Sequence, residues 1–367
     1  MAIESPCFEN VLQVVSNTGP VADERSSIET DFHLTDLKRQ SILEFRIWVE
    51  IVVTAFSFNR HPAYQYLLSH TNVDFLVCNR WDTVTRPHPE NITFVDRDEI
   101  EWALSESDIW LSHLITPDLF RLLRYARRLG RPERLVQIMH GRADRTDHIS
   151  SSSKRIMYDI AKQTIQFPLT VLPNLVPVDY VYITPFVADS WRMPGRVIEP
   201  GAPTDEITPA STRDAPPLIV GNELDRGHFA IDIVNQLQQS RDVRVCGAND
   251  AVESTFMPWM ELADTYQDAL CYLNLLQPPE NAFNLATLEA MAGGCPIVTL
   301  PHPQSPFVHE ETALVCETAS EFETAIDRLA TDSSLRRRLS EASRELATTR
   351  FNIERFIKQW EQKLRVA

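Results

Sequence analysis

Two carboxylates stand close together in the stretch PPENAFNLATLEAMAGGCPIV, which runs from Pro278 to Val298. Glu289 falls in a run of small and apolar residues typical of a short helix, and Glu280 lies in the loop before that run. Asn284 is placed to cap the first turn of the helix, and a Gly-Gly pair is placed to end it. The free N–H groups of a helix's first turn, together with the helix dipole, favour an anion.

The position of Glu289 along this helix suits a nucleotide. Glu289 follows Leu285 by four residues, which is roughly 6 Å along the axis at 1.5 Å per residue. A similar offset separates the pyrophosphate of a nucleotide from its ribose. The carboxylate can therefore accept both ribose hydroxyls while the phosphates rest on the helix end. The same spacing fits a solvated helix residue equally well, and both interpretations stand on this segment alone.

Apolar, β-branched runs recur along the chain and must form the scaffold that positions this helix. Helical stretches separate most of them, for example Pro117 to Gly130. Continuous apolar strands that alternate with helices indicate parallel sheets covered on both faces. The predicted strands are RIWVEIVVTAF, VDFLVCN, NITFVD, DIWLSHL, RLVQIMHG, DYVYIT and RVIEP, followed later by PLIVGN, VRVCGAND and CYLNLL.

A segment rich in Pro, Ser and Thr, Pro200 to Pro217, interrupts this alternation and has the composition of a linker. The predicted fold class is therefore α/β, with two doubly wound, Rossmann-like domains facing across a cleft. We expect a polar extension over residues 1–44, an N-terminal domain over 45–205 and a C-terminal domain over 206–350. Ligands of such sheets bind outside the carboxyl ends of the strands, so the cleft is the predicted site.

The composition argues against several classes of partner. The chain has 367 residues, 43% of them hydrophobic, and a formal net charge of −16. So acidic a surface repels phosphate backbones and anionic lipid unless a local patch overrides it, so we expect no nucleic-acid partner. The longest apolar run, Ile47 to Phe56, is too short to span a bilayer. With no secretory signal at the N-terminus, we expect a cytoplasmic protein without an integral membrane segment.

Six cysteines are scattered along the chain without a Cys-x-x-Cys pair or a cluster with histidine. We therefore expect no metal site and no tightly bound cofactor. Four of them lie in or beside predicted strands, where cysteine packs as a small buried hydrophobe: Cys78, Cys246, Cys271 and Cys295.

The stretch around Glu289 resembles the signature of the retaining GT-B glycosyltransferases of the glycogen-synthase-like superfamily, also called glycosyl transferases group one. That signature is Glu-Gly-Phe-Gly-Leu, three variable residues, Glu-Ala-Met-Ala and a Gly–Cys/Thr–Pro–Val ending. The resemblance implies that Glu289 holds the ribose of a nucleotide diphosphate sugar and that the amides around Asn284 and Leu285 contact the diphosphate. The matching residues are Phe283, Leu285, Glu289, Ala290, Met291, Ala292, Gly294, Pro296 and Val298.

The match also contains departures. The first glutamate of the signature falls on Asn281, whereas Glu280 stands one residue too early. The loop glycines become Ala282 and Asn284. In the family the first glutamate contacts the donor sugar near its anomeric carbon. Asn281 is therefore a candidate catalytic residue and Glu280 a candidate donor ligand, and which of the two takes this role stays open.

A second segment, Pro217 to Leu237, resembles the part of the family in which an arginine and a lysine clamp the diphosphate. Gly221 aligns with its glycine, Asn222 occupies the arginine position and Arg226 stands in for the lysine. A guanidinium can make two hydrogen bonds to a phosphate, so we expect Arg226 to bind the diphosphate and to stabilise its departing charge. The alternative is an exposed loop arginine.

One further segment extends the resemblance into the N-terminal half, whereas the segment after the first predicted strand lacks the Gly-rich turn of the family. RLVQIMHG ends in His140, which matches a histidine that faces the acceptor in the family; a structural histidine is the alternative. Arg60 and His61, after the first predicted strand, could approach the phosphates. In the family the last helix crosses back to the first domain, and we expect residues 351–367 to do so here.

These observations predict an enzyme that moves a sugar from a nucleotide diphosphate sugar to a soluble or small-molecule acceptor. The resemblance implies retention of anomeric configuration, no metal requirement, and His140, Arg226 and Asn281 as catalytic residues. Two alternatives remain, a non-catalytic nucleotide-sugar-binding partner of another transferase and a GT-B nucleotide-sugar epimerase.

Overall fold

The computed structural model describes residues 53–113, 118–129, 134–143, 178–191, 193–210, 212–225 and 227–365. Two parallel sheets organise these residues. The strands of the first sheet are β1 (Val53–Phe58), β2 (Val73–Cys78), β3 (Ile92–Val95), β4 (Ile109–Ser112), β5 (Arg134–Met139), β6 (Val178–Tyr182) and β7 (Gly195–Val197). Its helices are α1 (Pro62–Leu68), α2 (Ile100–Glu106), α3 (Phe120–Leu129) and α4 (Pro185–Ala188).

The first sheet has the strand order β3-β2-β1-β4-β5-β6-β7, and each neighbouring pair is parallel. The chain runs outward from β1 to β3 and then starts again beside β1 with β4. The carboxyl ends of β1 and β4 therefore border the topological switch point, where open α/β sheets bind their ligands.

Alternate residues of each strand enter two apolar cores, one on each face of the sheet. Ala55 of β1 packs in one core with Tyr64 of α1, whereas Phe56 packs in the other with Trp110 and Leu122. Burial on both faces requires apolar residues at nearly every position of a strand. This requirement is why the strands were visible in the sequence as continuous apolar runs.

The second sheet repeats the plan with five strands in the order β12-β11-β10-β8-β9, all parallel. Its switch point lies between β8 and β10. The strands are β8 (Leu218–Val220), β9 (Arg244–Cys246), β10 (Tyr272–Asn274), β11 (Ile297–Thr299) and β12 (Leu314–Val315). The helices within it are α5 (Ile231–Ser240), α6 (Trp259–Asp268) and α7 (Leu285–Ala292).

Three helices complete the chain, α8 (Ala319–Thr331), α9 (Ser333–Thr349) and α10 (Ile353–Leu364). Helix α8 ends and α9 begins at Asp332, because its carboxylate accepts hydrogen bonds from the amides of Ser334 and Leu335, both at 3.0 Å, and so caps the new helix.

Helix α10 packs on the first sheet rather than the second. Ile353, Phe356, Trp360 and Leu364 lie on one face of this helix at intervals of three or four residues. All four are buried in the core that contains Val53 and other residues of the first sheet. The end of the chain therefore joins the two sheets into one packed body.

The segment with linker composition is itself packed. Ile207 is fully buried, and the guanidinium of Arg344 donates to its carbonyl at 2.9 Å and to that of Thr204 at 2.8 Å. Arg213 is buried as well and donates to the carbonyls of Gln267, at 2.7 Å, and Gly293. Arginine side chains thus satisfy the irregular backbone and fix its path.

The five cysteines in the described ranges, Cys78, Cys246, Cys271, Cys295 and Cys316, are free and buried. This finding confirms the prediction made from the strand positions of four of them. None of the helices in the same ranges combines the length and the apolar character needed to cross a membrane.

Candidate active site

The loops that follow β8 and β10 form the carboxyl edge of the second sheet at its switch point. Gly221 directly follows β8, and the segment from Leu275 to Asn284 connects β10 to α7. The two loops touch, since Phe229 pairs with Leu276 in an isolated antiparallel bridge. Both segments singled out in the sequence therefore meet at the place where an α/β sheet binds a ligand.

Helix α7 begins as the sequence predicted. The side chain of Asn284 accepts a hydrogen bond from the amide of Thr287 at 2.9 Å, and the Thr287 hydroxyl accepts from the amide of Asn284 at 3.4 Å. This reciprocal cap fixes the helix start. The amides of Leu285 and Ala286 precede the first intrahelical hydrogen bond and are the donors that this end offers to an anion.

Glu289 is buried, with a relative exposure of 6%, so the interpretation of this residue as a solvated helix residue is wrong. One carboxylate oxygen is paired with the guanidinium of Arg86. The other accepts a hydrogen bond from the Tyr266 hydroxyl at 2.9 Å. Burial raises the pKa of Glu289, and Arg86 and Tyr266 oppose that rise. Arg86 and Tyr266 thus favour the charged form of the Glu289 carboxylate, which burial alone would disfavour.

Arg86, the partner of Glu289, comes from the part of the chain that builds the first sheet. It belongs to the segment between β2 and β3 of the first sheet, and its guanidinium lies over the ring of Trp259, 3.6 Å from the ring centroid. The amide of Trp259 donates to the carbonyl of Val84 at 2.9 Å, so backbone as well as side chain fixes this contact. Sequence reasoning missed Arg86, Trp259 and Tyr266. The only signal was a polar loop after a buried strand, where ligand-binding residues concentrate.

The two residues that compete for the first-glutamate role point to different neighbours. The Asn281 side chain is 9% exposed and accepts a hydrogen bond from the Thr184 hydroxyl of the first domain at 2.6 Å. Glu280 lies beside His228, with 3.7 Å between carboxylate oxygen and ring nitrogen, and its carbonyl is 2.9 Å from a ring nitrogen of His302. The Asn281 side chain thus contacts the segment after β6 of the first sheet, whereas the Glu280 carboxylate lies against the loop after β8.

The remaining residues of the second motif shape the loop after β8. A Cβ at Gly221 would lie 2.8 Å from the end of the Leu224 side chain and 2.9 Å from the Phe229 ring, so a larger residue there would have to displace these side chains. The Asn222 side chain accepts from the amide of Ala248 at 2.8 Å and ties this loop to the loop after β9. Arg226, the predicted cation for the diphosphate, lies outside the described residues.

Phe283 and Leu285 face the packed interior. The Phe283 ring meets that of Phe351 edge to face at 4.7 Å between centroids. Leu285 packs against apolar cores of both sheets. Among the residues predicted to bind the donor, these two therefore hold the helix start in place through their side chains and offer only backbone to a ligand.

The switch point of the first sheet carries three histidines. His61 follows β1, His113 directly follows β4 and His140 directly follows β5. The nearest ring nitrogens of His113 and His140 are 3.0 Å apart, and the other nitrogen of His113 is 3.2 Å from the hydroxyl of Ser57. The His61 ring lies against that of His140, with 4.2 Å between centroids. His140 is therefore part of a hydrogen-bonded chain, and His113 is a site residue that the sequence alone did not reveal.

Burial keeps these imidazoles neutral. It lowers the pKa of His113 to about 3, and it lowers the pKa of His140 well below its ordinary value. His61, whose own pKa burial also lowers, contributes to both shifts. At neutral pH the cluster can donate and accept hydrogen bonds but carries no charge.

Arg60, which the sequence suggested as a phosphate contact, is paired with a carboxylate of the protein. Its guanidinium donates two hydrogen bonds to the buried carboxylate of Asp118, at 2.6 and 2.7 Å. Within the described ranges, no group of three or more His, Cys, Asp or Glu side chains is arranged to hold a metal ion.

Residues 226–362 match the model of a family described as glycosyl transferase-like. Among curated proteins, none matches the sequence. Anabaena HepE in complex with UDP and glucose superposes with a TM-score of 0.64 at 13% identity, over 85% of this chain and 99% of HepE. The fold is GT-B. This finding confirms the fold class predicted from the sequence.

Two other glycosyltransferase structures share the GT-B fold. A trehalose-phosphate synthase (UDP-forming) from Burkholderia vietnamiensis has a TM-score of 0.52 at 9% identity, over 86% of this chain and 99% of its own. A variant of S. aureus TarM in complex with alpha-GlcNAc-glycerol and UDP has a TM-score of 0.52 at 10% identity, over 70% of this chain and 55% of its own. The glycosyl transferase-like sequence match lies in the half that carries α7 and Glu289.

Proposed function

We propose that this protein is a glycosyltransferase that moves a sugar from a uridine diphosphate sugar to a small, soluble acceptor with retention of anomeric configuration. The observation that carries the proposal is helix α7, whose capped start at the switch point of the second sheet precedes the buried carboxylate of Glu289 by one turn. Choice of UDP follows from the neighbours, since the descriptions of all three name UDP.

The donor is proposed to bind along α7. Its diphosphate meets the amides of Leu285 and Ala286 at the helix start, where the dipole adds to the hydrogen bonds. Arg226 supplies the cation from the loop after β8. The ribose hydroxyls bind to Glu289, about one helical turn further along.

Arg86 must move for this to happen, because its guanidinium now takes one oxygen of Glu289. Tyr266 can stay, since it uses the other oxygen. In this scheme Arg86, once released from Glu289, pairs with the diphosphate. In this role it replaces the arginine that the family has where this chain has Asn222. The guanidinium of Arg86 then exchanges one anionic hydrogen-bond partner, the Glu289 carboxylate, for another, the diphosphate.

Transfer needs no protein nucleophile in this scheme. The acceptor oxygen bonds to the anomeric carbon, the bond from that carbon to the diphosphate breaks, and the acceptor proton passes to the departing diphosphate oxygen on the same face. The protein contributes by stabilising the charge on that oxygen and by orienting the acceptor. His140, uncharged at the switch point of the first sheet, holds the acceptor hydroxyl through a hydrogen bond, and Asn281 lies at the domain boundary near the sugar.

Two substitutions favour a second candidate, a nucleotide-sugar-binding protein without transferase activity. Asn281 replaces the glutamate that contacts the sugar in the family, and Asn222 replaces an arginine. Donor turnover separates the candidates. A thermal-shift series with UDP, GDP, dTDP and ADP should show the largest rise in Tm with UDP, because a ligand that binds the folded state stabilises it.

Incubation with UDP-sugars should then release UDP slowly even without acceptor, because water enters the place of the acceptor hydroxyl. Binding without UDP release, with or without candidate acceptors, would favour the non-catalytic alternative. No stabilisation by any of the four nucleotides would overturn both.

A further inference from the structure

A pocket of about 490 Å³ opens at the carboxyl edge of the first sheet, away from α7. It lies beside the ends of β2 and β3, and its volume falls in the range of small-molecule sites. Its lining includes Cys78, Asn79, Arg80, Phe94, Asp96 and Arg97. None of these residues belongs to the sequence motifs of the second sheet or to the histidine cluster of the first.

Positive charge dominates the pocket. Arg80 and Arg97 contribute two guanidinium groups against the single carboxylate of Asp96. Arg80 lies over the ring of Phe94, with 5.0 Å to the centroid, which holds its planar group at the wall. In the part of the chain that the structure describes, neither Arg80 nor Arg97 forms a salt bridge. Two arginines without an internal carboxylate partner remain available to an external anion.

A third arginine adds to this field. Burial raises the pKa of the Cys78 thiol, while a hydrogen bond with Asn79 and the charges of Arg97, Arg121 and Arg60 lower it. Arg60 is neutralised by Asp118, whereas the guanidinium of Arg121 lies over the ring of Phe58, at 5.3 Å from its centroid. The chain as a whole carries a net charge of −16, so a basic pocket on it is a local exception that attracts anions.

A hydrogen bond and the chain itself link the pocket to residues of the proposed reaction centre. Asn59, two residues before His61, donates from its side chain to the carbonyl of Asn79 at 3.0 Å. The segment that leaves the pocket at Arg80 continues to Arg86, which holds Glu289. The pocket therefore lies along the same edge of the first sheet as the histidines.

We propose that this pocket binds the anionic group of the acceptor, so that the acceptor is a phosphorylated or carboxylated small molecule held by Arg80 and Arg97. This inference rests on the proposed function, because it names the class of the second substrate. Bidentate arginine contacts suit phosphate and carboxylate alike. The hydroxyl that is glycosylated then extends from the pocket toward the carboxyl end of β1, the strand next to β2.

Calorimetric titration tests the pocket with glucose 6-phosphate, glucuronate, glucose and inorganic phosphate. We expect at least one of the charged sugars to bind, with affinity that falls as salt is raised, and glucose to bind more weakly or not at all. The double variant Arg80→Ala/Arg97→Ala should weaken binding by roughly tenfold or more, the effect of losing charge-assisted hydrogen bonds. Asp96→Asn should strengthen it, since a repelling carboxylate is removed.

Arg337→Ala/Arg338→Ala is the matched control, because it likewise removes two positive charges, here from exposed sites on α9. It should leave binding unchanged, and Arg97→Lys should retain part of it. UDP affinity serves as the check that each variant is folded, and UDP should not compete with the charged sugar. The inference would be overturned if UDP competes with the charged sugar or if glucose binds as tightly. It would also be overturned if no charged probe binds or if the double variant has no effect.

The two proposals fail separately. If UDP binds and is released from UDP-sugars but no charged probe binds, the proposed function stands and the anionic acceptor is wrong. If a charged sugar binds through Arg80 and Arg97 but no nucleotide binds, the pocket is an anion site and the transferase assignment fails.

Discussion

The two switch points of the molecule are built in different ways. In the second sheet, the cap, the free amides of the first helical turn and the carboxylate come from one short segment, Asn284 to Glu289. In the first sheet, Ser57, His113 and His140 come from three strands and meet only in the folded chain. The first kind of site is visible in a sequence because its geometry is local. The second depends on the order in which strands pair.

The contact between Arg86 and Glu289 joins the switch point of the second sheet to the segment between β2 and β3 of the first. Its removal should have the largest effect. Arg86→Ala leaves a buried carboxylate with only a tyrosine partner, and breaking a buried pair costs about 3–5 kcal/mol of unfolding free energy. Denaturant unfolding should show this loss. The double variant Arg86→Ala/Glu289→Gln should lose less than the sum of the single variants, because the carboxylate no longer needs a cation. Additive losses would show that the pair does not couple the domains.

The histidines of the first sheet should make the protein sensitive to acid. Because the folded pKa of His113 is about 3 against an ordinary value of 6.5, the unfolded chain binds the extra proton between those values. Stability is therefore complete above pH 6.5 and falls as pH drops below it, by up to about 1.4 kcal/mol per pH unit for one such histidine.

Unfolding measured from pH 7.5 to pH 5.5 should show this fall in the native protein and a shallower one in His113→Asn. The raised pKa of Glu289 acts in the opposite direction and is shared by both proteins. Equal slopes for the two proteins would mean that His113 is not buried as a neutral group.

A smaller effect should come from the second link between the domains. Asn281→Ala removes the acceptor for the Thr184 hydroxyl, and one such hydrogen bond contributes about 0.5–1.5 kcal/mol. The same substitution should lower UDP release from UDP-sugars far more than UDP affinity if Asn281 acts on the sugar. A parallel fall in both would assign Asn281 to domain packing. Thr184→Val is the control for packing alone.

The sequence alone predicted much of the fold and part of the candidate active site. Strands buried on both faces appear as apolar runs, and the bounds of α7 follow from Asn284 and the glycines after it. The partner of Glu289 did not follow, because Arg86 is 203 residues away in sequence and belongs to no recognisable motif. The Tyr266 contact was likewise hidden, since a buried tyrosine in an amphipathic helix looks like any other core residue.

The central claim is that Glu289 binds the ribose of a nucleotide diphosphate on α7. Calorimetric titration of UDP into the native protein and into Glu289→Gln tests it most directly, with both kept at the same pH and salt. The account predicts UDP binding to the native protein and an affinity at least about tenfold lower in the variant, from the loss of charge-assisted hydrogen bonds. Equal affinity in the two proteins, or no binding of UDP to the native one, would contradict it.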